Sequence, residues 1–573
     1  MTHLDLDLEL DFESEQVRGS VDIHVQRRDR EAPLILDTHE LSILGVAGLD
    51  GSPRVWQLGE RVERFGRPLE IMLQPADAAV RVHYMSAPGA EALQWLAPEQ
   101  TADGEAPFLF TQGQSILTRS WIPLQDSPGP RVSYTAKVRA PEGLTVVMSA
   151  ESRGRADDGS WLFGLDLPIP AYLIALGAGK LESRDLSERC RVWAEPSLVE
   201  AAGNEFADTE SMIQAAEELF GEYRWGRYDL LILPPAFPFG GMENPLLTFL
   251  TPTVIAGDRS LVSIIAHELA HSWSGNLVTN ATWSDFWLNE GTTVYFEQRI
   301  MERVYGRERR DMEAAMSRAG LESLIAKQEP WENVLNIDLT GKHPDDGFSG
   351  VPYNKGAALM TLLEQLVGRE AFDIFLQSWF DEHAFQSVTT HDFEVFLKER
   401  LLAQHAAQTA DFDLDQWLHA PGLPDDAPAE ESDALVRVDQ ELERLRAGAI
   451  PGELETGAWV SQQWEYFVEN LPADYSAEDL SRIDAAFEFT QTGNNEVLCA
   501  WLVRAIRAAY RPADTRLEAF LMTVGRRKYL QPLYEELLVS ERGIDRARSI
   551  YASARPRYHA VSTTTLDRLI LQQ

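Results

Sequence analysis

The stretch Ala266-His267-Glu268-Leu269-Ala270-His271, with Asn289-Glu290-Gly291 downstream, decides how this chain is read. The apolar run Leu261-Val262-Ser263-Ile264-Ile265-Ala266 ahead of it predicts a buried helix. Histidines four residues apart share one face of such a helix, so both imidazoles can reach one metal ion. With only 12 histidines in 573 residues, an HExxH pattern is expected by chance ~0.02 times. Two His and one carboxylate leave a fourth position open for water, which marks a catalytic rather than a structural zinc site. Glu290 is the natural third ligand: it lies 19 residues after His271, enough chain for a turn and a second helix packed beside the first. Glu268 lies between the histidines, off the metal, where its carboxylate can take a proton from water at the open position.

Around this centre the composition is that of a large globular protein. Hydrophobic residues make up 44% and charged residues 25%, and the length implies several domains with a sizeable core. The net charge of -39 argues against nucleic acid and anionic membranes as partners. Only seven of the 51 cationic residues are lysines; acid excess with little lysine suits salty water, and equally suits codon bias with drift. Cys190 and Cys499 are far apart, which argues against a disulfide framework and for a reducing compartment. The N-terminus, Met1-Thr2-His3-Leu4-Asp5-Leu6, lacks the basic and apolar regions of a signal peptide. No run of about 18 apolar residues predicts a membrane span. The expectation is a cytoplasmic protein, monomeric by preference.

Residues 1–181 read as a β domain. Leu4, Leu6, Leu8, Leu10 and Phe12 alternate with polar residues, Val21, Ile23 and Val25 repeat the pattern, and further strand-like runs cover Arg131–Val138 and Gly143–Met148. An antiparallel sheet is expected. Residues 182–422 read as mixed α+β: helical spacing over Glu205–Phe220, a short strand over Tyr228–Leu233, then the helix carrying the two histidines, its partner, and a further helical run from Val351 to Leu366. Residues 423–434 are an acidic, proline-rich linker. Residues 435–573 are helical, with a capping-box start at Ser476-Ala477-Glu478-Asp479 and apolar helical spacing over Leu498–Tyr510 and Leu517–Val524.

Two further motifs bear on chemistry. Gly240-Gly241-Met242-Glu243-Asn244-Pro245 supplies a glycine pair that lets backbone approach a ligand, with Glu243 beside it to bind an ammonium group. Tyr353 in Pro352-Tyr353-Asn354-Lys355-Gly356 offers a phenol for a developing oxyanion. Each alone is weak, since a glycine pair usually makes a turn and a tyrosine at a helix start is usually core.

Together, GGMENP, HELAH with NEG, and PYNKG resemble the gluzincin aminopeptidases of peptidase family M1, nearest the leukotriene A4 hydrolase branch and its bacterial aminopeptidase relatives. Thr111-Gln112-Gly113-Gln114 and Gly525-Arg526-Arg527-Lys528-Tyr529 extend the resemblance into the flanking regions. It implies a β saddle, a thermolysin-like catalytic domain and an armadillo-like helical domain closing the cleft. By the same resemblance, His267, His271 and Glu290 bind one Zn2+, Glu268 is the general base and Tyr353 steadies the oxyanion. Glu243 takes the substrate α-amine beside Gly240, Gly241 and Met242, while Gln112 and Gln114 line the pocket. Arg526 and Lys528 hold the carboxylate of a short peptide. Independently of the resemblance, Glu297, one or two turns beyond Glu290, is placed to support a metal ligand from behind. Short peptides with a free N-terminus are the expected substrates. Asp345 matches the branch's acid used in epoxide opening, but Phe239 and Phe348 replace tyrosines of that branch, so hydrolysis of lipid epoxides is expected at most as a secondary activity.

Overall fold

The computed structural model describes residues 1–571, leaving out the side chains of Glu541 and Arg542. The first strand, His3–Asp11, buries Leu4, Leu6, Leu8 and Leu10 and turns its acids outward, the alternation expected of a strand with one dry face. It lies in the middle of a seven-stranded sheet. Its pairing with Gln16–His24 is antiparallel, but that with Arg131–Arg139 is parallel. A parallel pair needs a long connection, and residues 25–130 supply it: they hold a three-stranded sheet of their own, two strands of the seven-stranded sheet and two strands of a four-stranded sheet that Thr145–Met148 and Leu176–Gly179 complete.

A five-stranded sheet follows, in the order Glu182–Asp185, Arg191–Ala194, Asp229–Ile232, Leu247–Leu250, Gly241–Met242. The two-residue strand Gly241–Met242 is its edge, antiparallel to Leu247–Leu250. The helical spacing over Glu205–Phe220 resolves into two helices, Pro196–Glu205 and Thr209–Phe220. The helix Ser263–Ala270 then packs on Phe286–Tyr305, which packs in turn on Gly350–Val367. That last contact is backbone against backbone: a Cβ on Gly291 would stand 2.6 Å from Gly356 Cα. Two glycines at the crossing let the helices bearing Glu290 and Tyr353 close on each other.

Beyond Leu414–His419 the chain runs to the helix Asp433–Arg446, capped by Ser432. The acidic segment between them is packed: Arg318 donates to Pro428 O, and Asp426 accepts from the Trp417 indole. Helices then alternate to Leu571 around their own core, which includes Leu442, Phe467, Leu498, Trp501 and Leu530. The β region and the central mixed region, by contrast, share one continuous core. Ser476 caps Ala477–Phe487 with Asp479 in the reciprocal arrangement that the sequence predicts. Among the described residues no helix is long and apolar enough to cross a membrane.

Candidate active site

His267 sits in the last turn of Ser263–Ala270, and His271 caps it. Each ring is held through Nδ1: that of His267 donates to Glu297 Oε2 at 3.0 Å, that of His271 to the Ser274 carbonyl at 2.9 Å. Both Nε2 atoms therefore point to one place, an orientation that outer partners commonly impose on metal-binding histidines. Glu290, one turn into Phe286–Tyr305, brings Oε2 to 3.4 Å from His267 Nε2 and 3.5 Å from His271 Nε2. Donors around a tetrahedral zinc at its usual bond lengths stand about 3.3–3.4 Å apart. Glu290 Oε2 is buried and makes no well-directed hydrogen bond, which leaves it available to a cation. The donor set fits zinc. Glu243, Glu268 and His271 form a second convergent trio, but it offers one imidazole against two carboxylates and shares His271 with the first, so the two-histidine set is the better match to zinc.

Charge in the site is organised around that point. Burial pushes His267 down, yet Glu290 and Glu297 outweigh it and hold the ring well above its ordinary value. The proton it holds would give way to a metal ion. Burial presses His271 down to about 4. Burial pushes Glu268 up to about 8, against the pull of His267 and with help from Glu290 and Glu297. Burial, then Glu290 and Glu268, hold Glu243 well above the carboxylate range. Three buried acids facing one another are costly without a cation among them.

Glu243 is 4% exposed; its Oε1 has no partner, and its carbonyl accepts from Asn276 Nδ2 at 2.7 Å. Gly241 lies so close to Glu268 that a Cβ would collide with the carboxylate, and a Cβ on Gly240 would stand 2.7 Å from Arg526 Nη2. Both glycines thus let the loop pass between the Glu268 carboxylate and the Arg526 guanidinium. The Tyr353 ring stacks on His267, centroids 6.1 Å apart, and stands edge-on to Phe286. Burial and the adjoining Glu290 carboxylate hold its phenol well above 10.

The remaining sequence candidates fall on the walls. Gln112 Nε2 donates to Met242 Sδ at 3.2 Å, while its Oε1 and Gln114 Nε2 are buried without partners. Asp345 accepts from Ser115 Oγ at 2.6 Å. Phe348 stacks on Phe286 at 4.4 Å. Arg526 is buried and reaches Tyr529 at 2.7 Å and Glu496 at 3.3 Å. Lys528 is more than half exposed and sits 2.7 Å from the other Glu496 oxygen. The sequence reading missed Asn276, Ser274 and Ser115, which hold Glu243, His271 and Asp345. Single polar residues in loops give no periodic signal, so only the folded chain reveals them.

With this geometry in hand, comparison with known proteins is direct. Three family descriptions match in order: Peptidase M1 N-terminal domain over residues 1–173, Peptidase family M1 domain over 205–417, and Leukotriene A4 hydrolase, C-terminal, over 459–570. Leukotriene A-4 hydrolase of Xenopus laevis is 37% identical over 98% of this chain and 95% of its own length. The chain belongs to peptidase family M1. This M1 enzyme is also 38% identical to aminopeptidase B of Mus musculus, over 81% of this chain and 74% of that one. The solved yeast LTA4 hydrolase in complex with bestatin matches it with a TM-score of 0.91 and 32% identity, covering 99% of this chain and 95% of that one. Membership bears out the three-part fold and the enzyme class expected from the sequence, a zinc-dependent aminopeptidase.

Proposed function

We propose that this M1 enzyme removes N-terminal residues from short peptides that carry a free amine. The observation that supports this most is Glu243: a buried carboxylate with an unpartnered oxygen, beside Glu268 and His271. An ammonium group answers both its missing hydrogen bond and its missing counter-charge. His267, His271 and Glu290 would hold the zinc ion. Zinc, when bound, supplies Lewis acidity that polarises the scissile carbonyl and acidifies water.

The protein groups do the rest. Glu268 accepts the proton of the attacking water and hands it to the leaving amine; a carboxylate whose pKa is raised is suited to both steps. Tyr353 keeps its proton at working pH and donates a hydrogen bond to the oxyanion. The free edge of Gly241–Met242 pairs with the substrate backbone as an added strand. Gln112 and Gln114 line the pocket for the N-terminal side chain. Arg526, with Lys528 at the rim, takes the C-terminal carboxylate of a tripeptide-sized substrate. The same reading divides the chain at 1–181, 182–422, 423–434 and 435–573, and has it act as a cytoplasmic monomer, in keeping with two cysteines too far apart in sequence to suggest a disulfide framework. Acetylating the substrate amine should abolish cleavage, and Glu243→Ala should chiefly weaken substrates with a free amine. Efficient endoproteolysis of acetylated peptides would reject the reading.

Hydrolysis of lipid epoxides is the second activity, and Asp345 favours it, being an acid fixed by Ser115 within electrostatic reach of Arg527. A lipid epoxide assay on wild type and Asp345→Asn decides this; no turnover by wild type ends it.

A further inference from the structure

Residues 525–529 bring three consecutive cations from the helical region to the cleft. The backbone is pinned there: Gly525 N donates to Pro235 O at 2.8 Å, and Arg527 N to Pro238 O at 2.9 Å. The segment therefore runs beside the chain leading into Gly240 and Gly241. Two of the three cations already have partners, since Arg526 and Lys528 share Glu496. Arg527 does not. Its side chain makes no hydrogen bond or ion pair among the described residues, although it is half-buried. Its guanidinium carbon stands 5.9 Å over the Phe239 ring, adjacent to the glycine pair. Asp345 and Tyr353 lie within its electrostatic reach, so the group faces the same cleft as the Gly240–Gly241 loop.

An unpaired, half-buried guanidinium is anomalous in this chain. Acids outnumber Lys and Arg by 90 to 51, so a partner from the protein itself is easily had. Withdrawing a cation from water without an ion-pair partner costs free energy, which Asp345, in electrostatic reach but not paired with it, offsets only in part and a ligand anion would recover. The aromatic face beneath holds the planar fork in position, and five fixed donors suit a carboxylate. Resting on the peptidase reading above, we propose that Arg527 is a specificity-determining residue that binds a carboxylate of the peptide beyond the scissile bond. That carboxylate is either the chain terminus of a short peptide or an acidic side chain.

The test compares wild type, Arg527→Gln and Arg527→Lys on four probes: alanyl-p-nitroanilide, Ala-Ala-Ala, Ala-Ala-Ala-amide and Ala-Asp-Ala-amide. Cleavage of the anilide by wild type tests the peptidase reading separately, because the anilide has no carboxylate. In Arg527→Gln the ratio of kcat/KM for a carboxylate-bearing peptide to that for the anilide should fall by about 10–100-fold, and Arg527→Lys should restore part of it. A fall with Ala-Ala-Ala but not its amide identifies the chain terminus; a fall with Ala-Asp-Ala-amide but not Ala-Ala-Ala-amide identifies the side chain. Equal changes on all four probes overturn the proposal. So does a wild-type enzyme indifferent to both carboxylates, a result that needs no variant to fold. If discrimination persists undiminished in Arg527→Gln, another cation carries it and the proposal falls.

Discussion

The metal centre and the rim of the cleft are built on opposite plans. The proposed metal donors His267, His271 and Glu290 come from two packed helices in one stretch of 24 residues, and their orienting partners Ser274 and Glu297 lie on or beside those helices. The rim draws on parts of the chain hundreds of residues apart: Gln112 and Ser115 from the β region, Phe239 to Glu243 and Asp345 from the centre, Arg526 and Arg527 from the helical end. A centre assembled locally depends on two helices keeping their register. A rim assembled from three regions depends on how those regions dock. Chemistry and specificity should therefore fail separately, and each prediction below tests that division.

The largest effects belong to the centre. Removing zinc with a chelator should abolish cleavage of every substrate alike, and added zinc should restore it; full activity in metal-free protein would contradict the site. Glu268→Gln should retain zinc and still lose ~10²–10⁴ in kcat, the usual cost of a general base, with the same loss on anilide and tripeptide. Turnover within tenfold of wild type would remove Glu268 from the mechanism.

At the rim the effect should be smaller and selective. Arg526→Ala should lower kcat/KM for a tripeptide by about 10–150-fold, the equivalent of roughly 1.5–3 kcal/mol for a charge-assisted contact. An anilide should suffer much less, and amidating the tripeptide should mimic the substitution without adding to it. The structure sharpens the control. Glu496 loses a buried partner in this variant, leaving Lys528 and Tyr529 to hold it, so thermal stability must be measured alongside. Equal losses on both substrates would mean that Arg526 acts through domain packing.

The same division explains what was legible in the sequence. His267, Glu268, His271 and Glu290 could be read because helix periodicity converts their spacing into a shared face, and one helix pair completes the site. The alternation of Leu4, Leu6, Leu8 and Leu10 announced a strand for the same local reason. The parallel neighbour of that strand could not be read, because Arg131–Arg139 joins it across more than a hundred residues. Nor could the fates of Arg526, Arg527 and Lys528, three adjacent cations with identical local signals. Only docking against Glu496 and Phe239 separates the paired from the unpaired.

The smallest expected effect tests the docking itself. His559 begins the last helix and lies fully buried, its ring stacked on Phe110 of the β region at 6.0 Å. Its Nδ1 accepts from Val561 N, while Nε2 has no partner. Burial presses its pKa down to about 4, with Glu91 opposing only in part. The unfolded chain holds an ordinary histidine near ~6.5. Between these values the unfolded state binds more protons than the folded state, so stability rises with pH across the window. The contribution is complete above pH ~6.5 and is lost as pH falls toward 4. Each unit is worth about 1.4 kcal/mol, so going from pH 7 to pH 5 should cost on the order of 2 kcal/mol through this residue alone. His559→Phe keeps the stack and removes the titration. Its Tm should therefore fall less than that of wild type between pH 7 and 5, with little difference between them in zinc content. If the two proteins lose Tm in parallel, His559 does not couple acid to the junction. If wild type loses zinc before the junction loosens, the metal centre is the weaker of the two regions and the division drawn above is reversed.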